Sequence, residues 1–492
     1  MPPELSLEQL EARIREVSLD LDPEAMRRAG YRVMDWIVER QSTIRESDLG
    51  RELRREETEA LLRETMPEEP AGFDSVFDTY AKNVAPNAIH LDHPRFFAFI
   101  PSAPNFASIL ADALVAGTNV FAGTWLESSG PSQVELVVID WFKAMLGLPA
   151  EAAGLLVSGG SVANLTALAV ARRAALHDET KDAVVYLSDQ THASVDRALR
   201  LLGFRAEQLR RISTDAGFRL DATKLEERVR VDRKAGLRPF LVIANAGTTN
   251  TGAIDPMREV AEIAREHSLW LHVDAAYGGF AALTERGRKL LAGIEHADSV
   301  VLDPHKWFYC PFEAGCVIVR RGRLMRETFR ILPEYMTDVA REEREVNFCD
   351  YGLQLTRSFR ALKVWMGVKT FGARKIREVI DQCLDLTEYA ARLFAQSPRI
   401  EIVTPPSLGV FTFRYVPEKL PASGGEAFLN KLNSDLVARA IASRQITISS
   451  TRLDSRQVIR FCVLNYRTRK EDVREALRLV EQFGREAEDG LS

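Results

Sequence analysis

Apolar positions along this chain follow two regimes. Near the start, Leu7, Leu10, Ile14 and Val17 recur at helical spacing and predict one amphipathic helix. Asp22-Pro23 then reads as an N-cap with proline in the first turn. The helix it opens carries Met26, Tyr31, Val33, Met34, Trp36, Ile37 and Val38, which wrap around more than one face. A terminal helix that apolar has to bury several sides, in its own core or against a partner subunit. Residues 46–70 are rich in charge and end at Pro67 and Pro70, predicting a solvated helix and a linker.

From about Ser102 the texture alternates. Apolar runs suited to buried strands fall at Gly154–Val157, Ala183–Leu187, Phe240–Ala244, Trp270–Val273, Ser299–Leu302 and Cys316–Val319, most of them separated by longer helical patterns. That alternation predicts an α/β domain with a mostly parallel sheet covered by helices, whose ligands sit outside the carboxyl ends of the strands. After about Gly372 comes a smaller α+β unit: a helix over Ala373–Gln396, a strand at Val410–Arg414, a helix near 426–443, Ile446–Ser449, Val458–Val463 and a closing helix from Lys470. Pro405-Pro406 and Ser423-Gly424-Gly425 read as loops. The predicted division is an N-terminal arm over 1–101, a large domain over 102–372 and a small domain over 373–492.

Composition narrows the classes. A net charge of −5 leaves no basic footprint for nucleic acid or an anionic membrane. No apolar run approaches the roughly 20 residues of a spanning helix, and the acidic start lacks the basic and apolar regions of a secretory signal. Five cysteines, scattered and odd in number, argue against a disulfide framework or a zinc site, so no metal is expected and the cytoplasm is the default compartment.

The chemistry concentrates at strand ends. Asp274 follows Trp270–Val273, and Lys306 follows Ser299–Leu302 within Asp303-Pro304-His305-Lys306-Trp307. An acid and an amine so placed suit pyridoxal 5′-phosphate: the lysine supplies the amine for a Schiff base, and the aspartate keeps the pyridine nitrogen protonated. Taken alone, Lys306 reads as a surface lysine past a strand; Asp274 and a phosphate motif change that. The motif is Ser158-Gly159-Gly160-Ser161 between a strand and a helix, where glycines admit an anion, Ser161 donates a hydroxyl and the first helical amides converge. His192 follows another strand and can stack on a cofactor ring or merely start a helix. Thr248 and Thr249 can reach the ring's substituents or be turn residues, and Ala276 is small enough to lie against a ring face. The charged stretch 331–352 suits either a mobile lid or an exposed linker.

Together, Ser188-Asp189-Gln190-Thr191-His192, His272-Val273-Asp274-Ala275-Ala276, Asp303 to Trp307 and Arg357-Ser358-Phe359-Arg360-Ala361-Leu362-Lys363 resemble the group II pyridoxal-phosphate decarboxylases, and among them the aromatic L-amino-acid decarboxylases. The resemblance spans nearly the whole chain. It implies a fold type I transferase fold with a seven-stranded-type sheet, and a homodimer with shared active sites and an arm packed on the partner. It also implies that Lys306 carries the cofactor, Asp274 pairs with its ring nitrogen and His192 stacks on the ring. Gly160 and Ser161 would hold the phosphate, with Thr249, Ala276 and His305 as further cofactor neighbours. The segment Leu91–Ser102, including Phe99, Ile100, Pro101 and Ser102, would line the substrate pocket with Thr356, and Tyr335 would be a lid residue that assists protonation. Leu91, Phe99-Ile100 and Asp303 depart from the animal enzymes, which carry tryptophan, a tyrosine–phenylalanine pair and asparagine there. Thr356 stands where plant relatives carry glycine or serine, which argues mildly against tryptophan. The expected activity is decarboxylation of an aromatic L-amino acid. Rivals are decarboxylation of glutamate or another acidic amino acid, aldehyde synthesis, transamination, and a silent paralogue serving as a scaffold.

Overall fold

The computed structural model describes residues 5–100, 103–331, 344–418 and 425–491. Two compact units emerge, Met1–Ile89 and His90–Ser492.

In the first unit, Ser6 and Gln9 form a reciprocal capping box on a helix of only five residues, Leu7–Glu11. The predicted amphipathic helix therefore stops before Ile14 and Val17, which are exposed. So short a helix has little stability without a packed face, and nothing in its unit buries that stripe. The Pro23–Thr43 helix begins as predicted, with the Asp22 carboxylate accepting from the amides of Glu24 and Ala25. Its Trp36 meets Phe77 and Tyr80 edge-on, at 6.2 and 5.7 Å between centroids, while Met26, Tyr31 and Val38 stay exposed. Arg32 pairs with Asp74 and Asp78. Within the charged stretch only Arg55–Leu62 is helical.

The second unit is built on a seven-stranded sheet. Its strands are β1 (Ala153–Val157), β2 (Ala183–Ser188), β3 (Leu209–Ile212), β4 (Arg238–Asn245), β5 (Trp270–Asp274), β6 (Ser299–Leu302) and β7 (Gly315–Val319), in the order β1-β7-β6-β5-β4-β2-β3. Pairings from β3 through β6 are parallel; β7 runs antiparallel to both β6 and β1. The runs read as buried strands are strands, and their side chains form one apolar cluster with the helices that connect them. Asp274 sits opposite Asn245 on one side and Val301 on the other, so the ends of β4, β5 and β6 lie level.

A second, antiparallel sheet joins β8 (Ile400–Ser407), β9 (Val410–Tyr415), β10 (Ser449–Leu453) and β11 (Arg456–Cys462) in the order β10-β11-β9-β8. Helices Glu426–Ser443 and Lys470–Leu491 pack with it around Phe394, Phe411, Phe413 and Phe461. The structure differs from the sequence reading at three places. Pro405-Pro406 lies inside β8, an edge strand where proline's missing amide costs no ladder bond. Of Ile446–Ser449 only Ser449 enters a strand; Thr447 instead bridges Phe96. The helix expected from Ala373 starts at Ala361, runs to Phe394 and breaks at Gly372, whose φ of 75° suits a residue without a side chain. No described helix is long and apolar enough to cross a membrane.

Candidate active site

Turns that follow β1, β2, β4, β5 and β6 enclose a cavity of about 390 Å³. Asp274 ends β5 and Lys306 lies four residues beyond β6; both line the cavity, with Gly160, Ser161, His192, Thr249, Ala276 and His305. Of the eight cofactor-site residues read from the sequence, none lies elsewhere.

Lys306 is held by its neighbour in the motif. Its Nζ is 2.9 Å from Asp303 Oδ2, and its side chain keeps 27% exposure, all that the cavity leaves it. Burial would lower the Lys306 ammonium, but Asp303, by charge and hydrogen bond, and then Asp274 raise it above the ordinary lysine value. Among the described residues Asp303 Oδ1 has no hydrogen-bond partner, while Oδ2 meets the lysine. His305 accepts the Ala314 amide at Nδ1, and burial lowers its pKa against the opposing pull of Asp303.

The glycine turn is a tight cradle. A first side-chain carbon at Gly160 would come within 2.9 Å of Asp303 Oδ2 and 3.3 Å of Ala276 Cβ. No side chain caps the Gly160–Leu176 helix, so its first amides meet the cavity with Ser161. An uncapped helix start beside a hydroxyl is an anion site. His192 takes up its helix-start reading and also reaches the cavity. It is the N-cap of the Ala193–Leu201 helix, accepting the Ser194 amide at Nδ1.

Behind the cavity runs a chain of hydrogen bonds that the sequence did not reveal. Asn164 Nδ2 lies 3.0 Å from Asp274 Oδ2 and 3.0 Å from Ser194 Oγ, and Ser194 Oγ is 2.8 Å from His192 Nδ1. On its other side, Asn164 Oδ1 is 2.9 Å from His272 Nε2; His272 Nδ1 is 2.8 Å from Ser299 Oγ, which accepts from Trp270 Nε1 at 2.9 Å. Full burial lowers the His272 pKa to about 4 despite Asp274 nearby, so this imidazole is neutral.

The substrate-side residues are not gathered. Phe99, 61% exposed, Ile100 and Thr356 do not line the cavity of this chain. Pro101, Ser102 and Tyr335 lie outside the described residues, as does most of the predicted lid. Arg95, a cation within the Leu91–Ser102 segment that could pair with an acidic substrate, donates to the Gln445 carbonyl at 2.8 Å and is absent from the cavity wall. Arg460 of β11 was not anticipated: it donates to the carbonyls of Phe99, Thr249 and Asn250, joining the small sheet to the cavity rim.

Residues 55–416 match the pyridoxal-dependent decarboxylase conserved domain. This chain belongs to that family. An aromatic-L-amino-acid decarboxylase of Bacillus atrophaeus is 40% identical over 95% of this chain and 97% of its own length. Tryptophan decarboxylase 2 of Oryza sativa subsp. japonica is 31% identical over 94% of each. Among solved structures, Oryza sativa TDC with PLP and tryptamine superimposes with a TM-score of 0.90 at 29% identity, over 96% of this chain and 99% of that one. Rhodiola rosea 4-hydroxyphenylacetaldehyde synthase does so at 0.87 and 26%, over 95% and 99%. The protein is thus a pyridoxal-phosphate-dependent decarboxylase with the fold type I architecture, and its cavity fits the cofactor. It offers an amine, an acid facing that amine, a flat methyl wall at Ala276 and an anion cradle too narrow for a side chain at Gly160.

Proposed function

We propose that this decarboxylase acts on an aromatic L-amino acid, of the tyrosine, DOPA, phenylalanine or tryptophan type, and releases the corresponding amine and carbon dioxide. What carries the reading is that Asp274 and Lys306 face one cavity with the Gly160 helix start. Lys306 would hold the cofactor through its aldehyde, Gly160, Ser161 and the helical amides would receive its phosphate, and Ala276, His192, Thr249 and His305 would complete the wall around it. When bound, the cofactor supplies a pyridinium that accepts the electron pair of the breaking carbon–carboxylate bond. Asp274 keeps a proton on the pyridine nitrogen, a charge arrangement set before the substrate arrives. His192 orients the substrate carboxylate, and Tyr335 delivers a proton to the substrate carbon once carbon dioxide has left.

The aromatic class is supported by the name of the 40%-identical Bacillus relative and by the apolar character of Phe99 and Ile100. Arg95, engaged with Gln445, does not support an acidic substrate. An aldehyde synthase is the second reading, since a phenylacetaldehyde synthase of Arabidopsis thaliana is 30% identical over 94% of this chain; Tyr335 disfavours it, because such relatives tend to carry phenylalanine there. We further propose a cytoplasmic homodimer in which Phe99, Ile100, Pro101, Ser102 and Thr356 complete the partner's pocket. The exposed Met26, Tyr31 and Val38 of the Pro23–Thr43 helix suit an arm with a partner, and five free, buried cysteines suit a reducing compartment. The test is carbon dioxide and amine release across phenylalanine, tyrosine, DOPA, tryptophan, 5-hydroxytryptophan and glutamate. An aromatic amino acid is expected to turn over fastest, and Lys306→Ala to lose turnover by at least about 10³-fold. Preference for glutamate, or carbon dioxide release by Lys306→Ala at the wild-type rate, would overturn the reading.

A further inference from the structure

The chain of hydrogen bonds behind the cavity has a direction that its two ends impose. Trp270 Nε1–H can only donate, and the Asp274 carboxylate can only accept. Ser299 therefore accepts from Trp270 and gives its own hydrogen to His272 Nδ1, which leaves the single proton of that neutral ring on Nε2, facing Asn164 Oδ1. The Asn164 amide cannot be flipped, because its oxygen would then oppose the Asp274 carboxylate. Both Nδ2 hydrogens are consequently assigned, one to Asp274 Oδ2 and one to Ser194 Oγ. The Ser194 amide can only donate, so His192 Nδ1 is an acceptor, and the Ser194 hydroxyl that accepts from Asn164 gives its own hydrogen to the same nitrogen. Asn164, Ser194 and His272 are all buried, Asn164 and Ser194 at the cavity wall and His272 beyond it.

We infer that Asn164 is a positioning residue that sets two working groups at once: it orients the Asp274 carboxylate directly, and through the Ser194 hydroxyl it adds a second hydrogen bond to His192 Nδ1, reinforcing the tautomer that the Ser194 amide requires, whose proton is on Nε2, the nitrogen left for the cavity. A helix residue one turn past the glycine cradle thereby ties the anion-binding turn, the ring-nitrogen acid and the carboxylate-facing imidazole into one unit. This rests on the roles proposed for Asp274 and His192.

Two variants separate the branches. Ser194→Ala removes only the hydroxyl that reaches His192 and spares the amide and Asp274. It is expected to bind pyridoxal phosphate within about twofold of wild type while kcat/KM for the amino acid falls about 10-fold or more, the effect of losing one buried hydrogen bond. Asn164→Ala cuts both branches and is expected to weaken cofactor binding about 10-fold as well, measured by titrating apoprotein and following absorbance. Nitrogen-15 NMR of histidine-labelled holoenzyme reads the tautomer directly: wild type shows a protonated Nε2 at His192, and in Ser194→Ala the retained amide keeps that tautomer while the Nδ1 signal shifts toward that of a more weakly hydrogen-bonded acceptor. Wild-type His192 protonated on Nδ1, or equal cofactor affinity in Asn164→Ala and wild type, would overturn the inference. Wild-type protein that binds no cofactor would instead overturn the roles on which it rests.

Discussion

At the scale of single residues, the unusual group is Asp303. A carboxylate only 2% exposed, 2.9 Å from the lysine that must lose its proton to attack an aldehyde, works against cofactor capture while protecting the empty site from an unpaired buried charge. The sign follows from the lysine: Asp303 raises the Lys306 pKa, so removing it lets the neutral amine form at lower pH. Asp303→Asn keeps the shape. Its apoprotein is expected to capture pyridoxal phosphate faster near neutrality, with the rate–pH profile displaced to lower pH; Asp274 and His305, the other titratable groups on this amine, are unchanged. Stopped-flow absorbance from pH 6 to 9 would show it, and superimposable profiles would free Lys306 from Asp303's control. Asp274 and Lys306 were legible because each is a costly residue at the end of an apolar run. Asn164 and Ser194 were not, since an asparagine within a helix and a serine at a helix start are ordinary until the fold sets Asn164 against Asp274, 110 positions away, and Ser194, 30 away.

Elements were legible wherever burial made them uniformly apolar. The six runs recognised as strands lie in the interior of the large sheet or end it at β1 against β7, each with an apolar face on both sides. Missing from them was β3, Leu209-Arg210-Arg211-Ile212, an edge strand whose arginines serve Asp232 and Asp196 and mask its period. The same limit hid β8, whose prolines signal a turn. What fastens elements to one another was less visible still. Arg357, before the Ala361–Phe394 helix, meets Glu135 of the Trp125–Leu146 helix at 2.6 Å, both side chains 1% exposed. It also donates to the carbonyls of Ala122 and Leu156, while Glu135 accepts the Leu156 amide, so one ion pair joins two helices and β1. Arg357→Met strands the Glu135 charge in the interior and is expected to cost about 3–5 kcal/mol of stability. Adding Glu135→Gln neutralises that charge, keeps an acceptor for Leu156 and should recover part of the loss. Urea unfolding followed by tryptophan fluorescence measures both; a double variant no more stable than Arg357→Met would mean that the carbonyl bonds, not the pair, dominate.

For the whole molecule the open question is where the substrate wall comes from. The eight residues assigned to the cofactor line one cavity of a single chain, yet Phe99 and Thr356 do not line it, and Leu353 and Leu355 stand 56% and 58% exposed beside Thr356. Phe99 is not a loose residue: its amide donates to Ser449, and Arg460, which also grips Thr249 on the rim, holds its carbonyl. A backbone anchored this firmly, with a large apolar side chain 61% exposed at φ 50°, suits the proposed coverage by a partner subunit. In a two-fold dimer the covering surface is the same patch region of a second chain, and Phe99 of one subunit would serve Lys306 of the other. That arrangement predicts complementation. Phe99→Asp should be nearly inactive because its charge enters a site for an apolar side chain, and Lys306→Ala is inactive for want of the amine. A mixed dimer pairs the intact lysine of the first with the intact phenylalanine of the second, rebuilding one site of two. Doubly tagged heterodimers are therefore expected to recover about half of the wild-type activity per dimer. Were each site assembled within its own chain, every site in the mixed dimer would lack one residue, and its activity would stay at the level of the two parents.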